Sequence, residues 1–285
     1  MMSASQMKIG ILGLGLIGGS LALDFRTQGH QVLGVSKRES TCKKAIALSC
    51  VDEASVDISL LTAAEVIFVC TPLGLIVPQV QQLITHLSPH TVLTDVGSVK
   101  TPIVEGIAPL WSNFIGGHPM AGTADSGIEA AQQHLFAGKP YVLTPLPSTP
   151  KNAVSVVETL VNSLGASIYH CRPQHHDQAV SWISHLPVMV SASLIAACMG
   201  ESDPEVLQLA QQLASSGFRD TSRVGGGNPE LGMMMAYYNR EQLLRSLHQY
   251  RHNLDAFINL IEQQDWTSLE EKLSSTQQAR PFFNC

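Results

Sequence analysis

Two groups of residues in this 285-residue chain have types and spacing suited to chemistry: a glycine triplet near the start, and a histidine set among glycines further on. The first is the turn Gly13-Leu14-Gly15-Leu16-Ile17-Gly18, a G-x-G-x-x-G pattern. Gly13 permits a tight turn, Gly15 leaves the backbone bare where a pyrophosphate would lie, and Gly18 lets a helix pack closely on the preceding strand. The helix that follows offers free N–H groups and a partial positive charge to the phosphates. Glycines also cluster in structural turns, so context decides. Here a strand-like run, Lys8–Leu12, precedes the turn, a helix-like run, Ile17–Gln28, follows it, and a second strand, Gln31–Val35, comes next. The arrangement predicts a dinucleotide site.

The end of the second strand selects the dinucleotide. NAD-binding chains carry an acidic residue there for the ribose 2′-hydroxyl. This chain has Ser36-Lys37-Arg38. A hydroxyl and two cations attract a 2′-phosphate that a carboxylate would repel, and arginine can hold it bidentately. NADP is therefore expected, with Ser40 and Thr41 as further hydroxyl donors at the next helix start.

Three more segments fall where strands should end, and ligands of open α/β sheets bind at those ends. They are Cys70-Thr71-Pro72-Leu73, Asp95-Val96-Gly97-Ser98-Val99-Lys100 and Gly116-Gly117-His118-Pro119-Met120-Ala121-Gly122-Thr123. Thr71, Pro72, Leu73, Asp95 and Ser98 are expected beside the cofactor. In the last segment the glycines and proline would fix a loop that points the imidazole of His118 into the site, and a histidine suits proton transfer near neutral pH. Other histidines fit chemistry less well. His248 and His252 are four apart on a helix but lack a third ligand, so no metal site is expected. His175-His176-Asp177 reads as a polar helix start, and Met233-Met234-Met235 as core filler.

The elements that must position these residues come in two regimes. Up to about Arg172, strand-like runs (Val66–Cys70, Thr91–Thr94, Phe114–Gly116, Tyr141–Thr144, Ser167–Cys171) alternate with helix-like ones (Ser40–Leu48, Leu75–Leu87, Lys151–Leu164), and Thr101 caps another helix with Pro102 at its first position. Such alternation predicts a parallel sheet with helices on both faces, a Rossmann-type dinucleotide-binding domain over residues 7–172. Over 173–285 strand signals nearly vanish, which predicts an all-helical domain. His176–Met199 reads as one long helix bent at Pro187, whose Ser191, Ala192, Ser193, Ala196 and Ala197 would let another helix come close. Glu205–Ser215 and Arg240–Gln263 continue the pattern, and Thr267-x-x-Glu270 reads as a capping box.

Composition narrows the class. Hydrophobic residues are 45% of the chain and charged residues 14%, ample for a buried core, and the net charge is −6 with no Lys/Arg block, which argues against a nucleic-acid partner. The six cysteines include no C-x-x-C pair and read as buried thiols in a reducing compartment. Residues before Met7 lack the apolar core of a signal peptide, and no uninterrupted apolar run reaches the roughly 20 residues of a membrane span, so a cytoplasmic protein is expected.

The motifs GLGLIGGSLA, CTPL, DVGSVK and GGHPMAG, joined later by Trp182-Ile183-Ser184-His185-Leu186-Pro187 and Gly217-Phe218-Arg219-Asp220-Thr221-Ser222-Arg223, resemble the prephenate/arogenate dehydrogenases of tyrosine biosynthesis over nearly the whole chain after Met7. The resemblance implies oxidation of a cyclohexadiene that bears a ring hydroxyl and a ring carboxylate. A base takes the hydroxyl proton as hydride leaves the same carbon for nicotinamide, and loss of carbon dioxide makes the ring aromatic. It implies that His118 is the base, that Ser98 hydrogen-bonds the reacting hydroxyl, that Arg223 binds substrate carboxylate, and that His185 sits near the substrate side chain, with Gly122 and Thr123 also lining the pocket. The short NADP-type form resembles the arogenate-specific enzymes, with prephenate as the other candidate. It leads us to expect a homodimer built on the helical half, no fused mutase, and weak or absent tyrosine feedback. A pyrroline-5-carboxylate-reductase-like enzyme, a β-hydroxyacid dehydrogenase and a non-catalytic NADP-sensing module share the plan. The second would need a lysine that His176–Met199 lacks, and the third leaves His118, Ser98 and Arg223 without a task.

Overall fold

The strands of the first half form one sheet whose strands at the centre are closed to water on both faces. The protein is described by a computed structural model over residues 6–123 and 125–283. β1 (Lys8–Leu12) leads through α1 (Leu16–Thr27) to β2 (Gln31–Val35), then α2 (Glu39–Ala47) and β3 (Glu53–Ser55). β4 (Val66–Val69), α3 (Leu73–Leu83), β5 (Val92–Asp95), α4 (Thr101–Ile107) and β6 (Phe114–Pro119) follow, then β7 (Pro140–Thr144), α5 (Lys151–Ser163) and β8 (Ser167–His170). The order across the sheet is β3-β2-β1-β4-β5-β6-β7-β8. Side chains alternate along each strand, so Ile9, Ile11, Val66 and Phe68 enter one core and Leu12, Ile67 and Val69 the other. Fully covered strands read as near-continuous apolar runs, which is why they were visible in the sequence.

Several expectations need correction. The sheet is not wholly parallel: β6 and β7 pair antiparallel, with His118 opposite Val142. β3, only three residues long and polar, carried too little hydrophobic pattern to be foreseen. His118 lies within a strand rather than a loop, because β6 continues through Pro119. Its flanking glycines serve close strand packing. A Cβ on Gly117 would stand 2.6 Å from the Asp95 carbonyl oxygen, and one on Gly116 would stand 2.4 Å from the Thr144 hydroxyl.

The second half is helical: α6 (Pro173–Val180), α7 (Leu186–Met199), α8 (Pro204–Leu213), α9 (Ser216–Ser222), α10 (Pro229–Tyr238), α11 (Arg240–Glu262) and α12 (Trp266–Ala279). The expected single long helix begins earlier, at Pro173, and is interrupted by a π-helical stretch, Ser181–His185, directly before Pro187. The missing N–H of Pro187 already breaks the regular ladder there, and a π turn accommodates the break. The last helix is capped by Asp265, whose carboxylate accepts from the Ser268 N–H, not by the Thr267–Glu270 box. Of the three methionines on α10 only Met235 is buried; Met233 is exposed. The small residues of α7 do admit a close neighbour, but it is the 3-10 turn Arg223–Gly226: a Cβ on Gly225 would lie 2.3 Å from the Ala192 nitrogen.

Pro173–Met199, 27 residues, is long and apolar enough by length and composition to cross a membrane, although only 17% of its most apolar window is buried. Its polar residues His176 and Asp177 bond to the nucleotide half, which places it against that domain. Much apolar surface stays exposed nearby, including Val206, Leu209 and Leu213 on α8 and Leu254, Ile258 and Ile261 on α11.

Candidate active site

The G-x-G-x-x-G turn has the geometry its chemistry requires. Gly13 adopts φ +106°, a conformation L side chains rarely take, and a Cβ there would press on the Cys70 carbonyl at 2.6 Å. A Cβ on Gly18 would collide with the Gly13 oxygen at 2.0 Å. At Gly15 a Cβ would meet nothing within 4 Å, so this glycine leaves an open face over the helix end. Gly15 is also the N-cap of α1 and no side chain caps the helix, which leaves its first N–H groups free for an anion. Leu14 turns inward to the core, while Leu16 and Ile17 are half-buried at the turn. Across the cleft, the buried hydroxyl oxygen of Thr71 has no protein partner, and Pro72 caps α3 ahead of Leu73. These residues fit a dinucleotide.

At the far end of the turn Ser36 is half-buried, and Lys37 and Arg38 are exposed in front of α2. Arg38 is the N-cap, no side chain caps this helix either, and Thr41 lies in its first turn. The adjacent carboxylate, Glu39, is drawn to Lys43 at 2.9 Å.

Asp95, expected beside the cofactor, is fully buried and serves as a brace between β5 and β6, with both carboxylate oxygens engaged inside the protein. One carboxylate oxygen accepts from the Gly97 N–H at 2.8 Å and from the Lys100 ammonium, and the other accepts from the Gly117 N–H at 3.1 Å. Lys100 also donates to the Gly117 carbonyl at 2.6 Å. This buried pair locks the β5–α4 turn to β6, fixing half-buried Ser98 on the turn and His118 on the strand. Burial holds the Lys100 ammonium below its usual pKa, against the pull of Asp95 and Asp177.

His176 and Asp177, expected at a solvated helix start, are buried instead. His118 Nδ1 meets His176 Nε2 at 2.8 Å, and His176 Nδ1 meets Asp177 Oδ1 at 2.8 Å. Asp177 also accepts from the N–H groups of Lys100 (2.7 Å) and Thr101 (2.8 Å), so it caps α4 from the other half of the molecule. Thr101 is thus the first helical residue, and its expected capping role belongs to Asp177. Burial opposes the Asp177 charge, but the hydrogen bonds from His176, Thr101 and Lys100 prevail and hold its pKa below the ordinary value. A further buried residue that the sequence did not advertise, Asn239, donates from its amide to the Asp177 carbonyl oxygen (2.8 Å) and lies 3.1 Å from His185 Nδ1. With the amide donating on that side, His185 carries its proton on Nε2, a buried atom that has no partner among the described residues.

Arg223 is exposed on the turn after α9, and no ion pair among the described residues involves it. The alternative partner, Asp220, is taken by Arg219 at 3.0 Å. Gly122 and Thr123 are exposed, and the Thr123 hydroxyl accepts from the Asp125 N–H at 3.2 Å. His248 and His252 lie on exposed helix surface, and no metal-ligand cluster exists among the described residues. The structure therefore joins His118, His185, Lys100 and Asp95 with the unforeseen His176, Asp177 and Asn239. Arg223, Thr123 and the Ser36–Arg38 turn stand outside that hydrogen-bonded cluster.

Burial first, then the neighbouring His176, Lys100 and His185, push the His118 pKa well below its ordinary value, and burial takes His185 to about 4. Both groups bind a proton in the unfolded chain before they do in the folded one. Their contribution to stability is therefore complete above pH ~6.5 and is lost as pH falls toward the folded values. We expect the unfolding free energy to drop by about 1.4 kcal/mol per pH unit for each such histidine between pH ~6 and ~4.5. Urea titrations across that window check this; a flat dependence would contradict the buried neutral imidazoles.

Comparison with known proteins finds matches over nearly the whole chain. The family profile described as "Prephenate dehydrogenase, nucleotide-binding domain" matches residues 21–170, and "Prephenate dehydrogenase, dimerization domain" matches residues 172–275. A prephenate dehydrogenase of Bacillus subtilis is 32% identical over 93% of this chain and 73% of its own length. The crystal structure of Synechocystis arogenate dehydrogenase is 57% identical, covers 96% of this chain and 99% of that one, and superposes with a TM-score of 0.88. That of A. aeolicus prephenate dehydrogenase, in complex with hydroxyphenyl propionate and NAD+, is 28% identical, covers 98% of both chains, and has a TM-score of 0.92.

Proposed function

The chain belongs to the prephenate/arogenate dehydrogenase family of oxidoreductases, and from that premise we propose that it oxidatively decarboxylates arogenate with NADP, using His118 as the base. The observation that carries the chemistry is the placement of His118: it is buried, which holds its pKa below the ordinary value, and its Nδ1 lies 2.8 Å from His176 Nε2, so that its own Nε2 is the nitrogen left for substrate. Nε2 takes the proton of the ring hydroxyl, which Ser98 orients as donor or acceptor. A nicotinamide dinucleotide held on the Gly13–Gly18 turn would supply the acceptor for the hydride that leaves the carbon bearing the hydroxyl. The ring carboxylate then departs as carbon dioxide, and aromatisation drives the reaction forward, so the protein supplies mainly position and a proton acceptor. Arg223, with no ion-pair partner among the described residues, is suited to a substrate carboxylate, and His185 offers its Nε2–H to a substrate acceptor. Gly122 and Thr123 line the approach.

Arogenate is favoured by the likeness to the Synechocystis enzyme, and NADP by the Ser36-Lys37-Arg38 turn. NADPH absorbance with arogenate and prephenate in parallel tests both points. Arogenate should give the higher kcat/KM by at least about tenfold, a difference of roughly 1.4 kcal/mol in transition-state binding. Equal or faster turnover of prephenate would overturn the substrate assignment, and no turnover of either would overturn the activity. The exposed apolar residues of α8 and α11 fall in the segment matched by the dimerization profile, and we assign their cover to a second copy of this chain. Light scattering should give twice the 30.7 kDa chain mass. The same family membership supports a soluble enzyme of the cytoplasm.

A further inference from the structure

Behind His118 stands a second histidine that the reaction described above does not use. We propose that His176 and Asp177 form a positioning dyad that fixes the tautomer of His118, so that the base always presents a bare Nε2 to substrate. This inference rests on His118 being the base.

Asp177 receives three donors: the N–H groups of Lys100 and Thr101 and the His176 ring nitrogen Nδ1. An ionised carboxylate can only accept, so His176 Nδ1 carries a proton. A neutral His176 then has its lone pair on Nε2, 2.8 Å from His118 Nδ1. Two lone pairs cannot share that contact, so His118 donates from Nδ1, and the bare nitrogen is Nε2. With His176 neutral, the alternation of donors and acceptors ends at the atom that must accept the substrate proton. All three side chains are buried, which lowers the local dielectric and removes water that could substitute for a missing partner. The rings of His118 and His176 stand edge to face, 5.0 Å between centroids at 73°, a geometry that also fixes the rotation of the base.

Asp177 gives the dyad a second property. It sits in the second turn of α6, in the helical half, yet caps α4 in the nucleotide half. The orientation of the base is thereby tied to the seating of one half against the other. His118 is faced by His176 from α6, Lys100 from the β5–α4 turn and His185 from the π turn, and Asp177 lies behind His176. Lys100 and Asp95 neutralise each other within this group. Asp177 supplies the negative charge that stabilises imidazolium once the proton has moved.

The direct test needs no variant. The protein labelled with ¹⁵N in its histidines is read by long-range ¹H–¹⁵N correlation near pH 7.5. The expected result is His118 protonated on Nδ1 and bare on Nε2; the opposite tautomer would overturn the dyad. His176→Leu should cost about 100-fold in kcat, with KM and cofactor affinity within about threefold, because it removes orientation and not binding. His176→Gln, whose side-chain oxygen can still accept from His118, should recover to within about tenfold of the parent enzyme. In a His118→Asn background, His176→Leu should add no further loss, since both act through the same proton. Undiminished kcat in His176→Leu, or a full additional loss in the double variant, refutes the dyad and leaves the base assignment intact. Full activity of His118→Asn by itself would remove the base, and that outcome is read independently.

Discussion

His118→Asn should lose about 10²- to 10⁴-fold in kcat while cofactor affinity stays within about threefold, the range a positioned general base contributes. Each factor of ten is about 1.4 kcal/mol of barrier, so the loss amounts to roughly 3–5 kcal/mol. Asparagine is the informative replacement because its amide is small enough for the buried site and can still donate toward His176 Nε2, the acceptor now used by His118 Nδ1. What it lacks is a lone pair on a basic nitrogen facing the substrate. The Gly13–Gly18 turn and α1, which would carry the dinucleotide, lie on other elements, so titration of the variant with NADP separates loss of chemistry from loss of fold. The pH profile gives a second check. The reactive form of His118 is neutral, and burial with nearby cationic groups depresses its pKa. Acid must therefore fall below the ordinary histidine range before the base is lost. The acid limb of kcat/KM in the parent enzyme should be centred below pH ~6.5, and the asparagine variant should lack that limb. A limb centred above 6.5, or a variant that retains the parent profile, would count against His118.

How much of this site could be read in the sequence depends on which forces hold each part. The glycine turn was legible because its requirements are local: Gly13 at φ +106° and Gly18 against the Gly13 oxygen are conditions set within six residues. Strands β1, β2 and β4 were legible because both faces are buried and, after the first residue of β1 and β2, no polar side chain interrupts them. Asp95 was read as a ligand because it ends a strand. Its real partners, Lys100 and the Gly117 N–H, become visible only when β5 and β6 are side by side. The same limit applies to His176 and Asp177. In sequence they are polar residues opening a helix, a place where polar groups usually meet water; in the structure the facing half of the molecule covers them. Asn239 had no signal at all, since a single amide between two helices has no spacing to betray it. The Thr267–Glu270 box shows the reverse error, a local motif displaced by Asp265 two residues earlier.

The same contrast sets up the second large effect. Arg38→Ala should lower kcat/KM for NADP by about 10- to 100-fold and leave that for NAD within about threefold, because a charge-assisted hydrogen bond is worth roughly 1.5–3 kcal/mol and only NADP carries the 2′-phosphate. Exposure of Lys37 and Arg38 places the effect toward the lower end, and it should shrink as salt is raised. Combined Ser36→Asp and Arg38→Ala should reverse the preference: the new carboxylate repels the phosphate and can accept from a ribose 2′-hydroxyl. Two observations make the reversal reachable by side-chain change alone. The N-terminus of α2 has no side-chain cap, so its free N–H groups face the same place whichever cofactor is bound. The nearest native carboxylate, Glu39, is held by Lys43 one turn along the helix and so does not already fill the role of the ribose acceptor. Initial rates with each dinucleotide at 50 and 300 mM salt decide the matter. A parent enzyme that clearly prefers NAD would show that this basic turn is solvated surface. The prephenate dehydrogenase of A. aeolicus was crystallised with NAD+, and the end of β2 is where an acidic residue would meet the ribose 2′-hydroxyl of that cofactor.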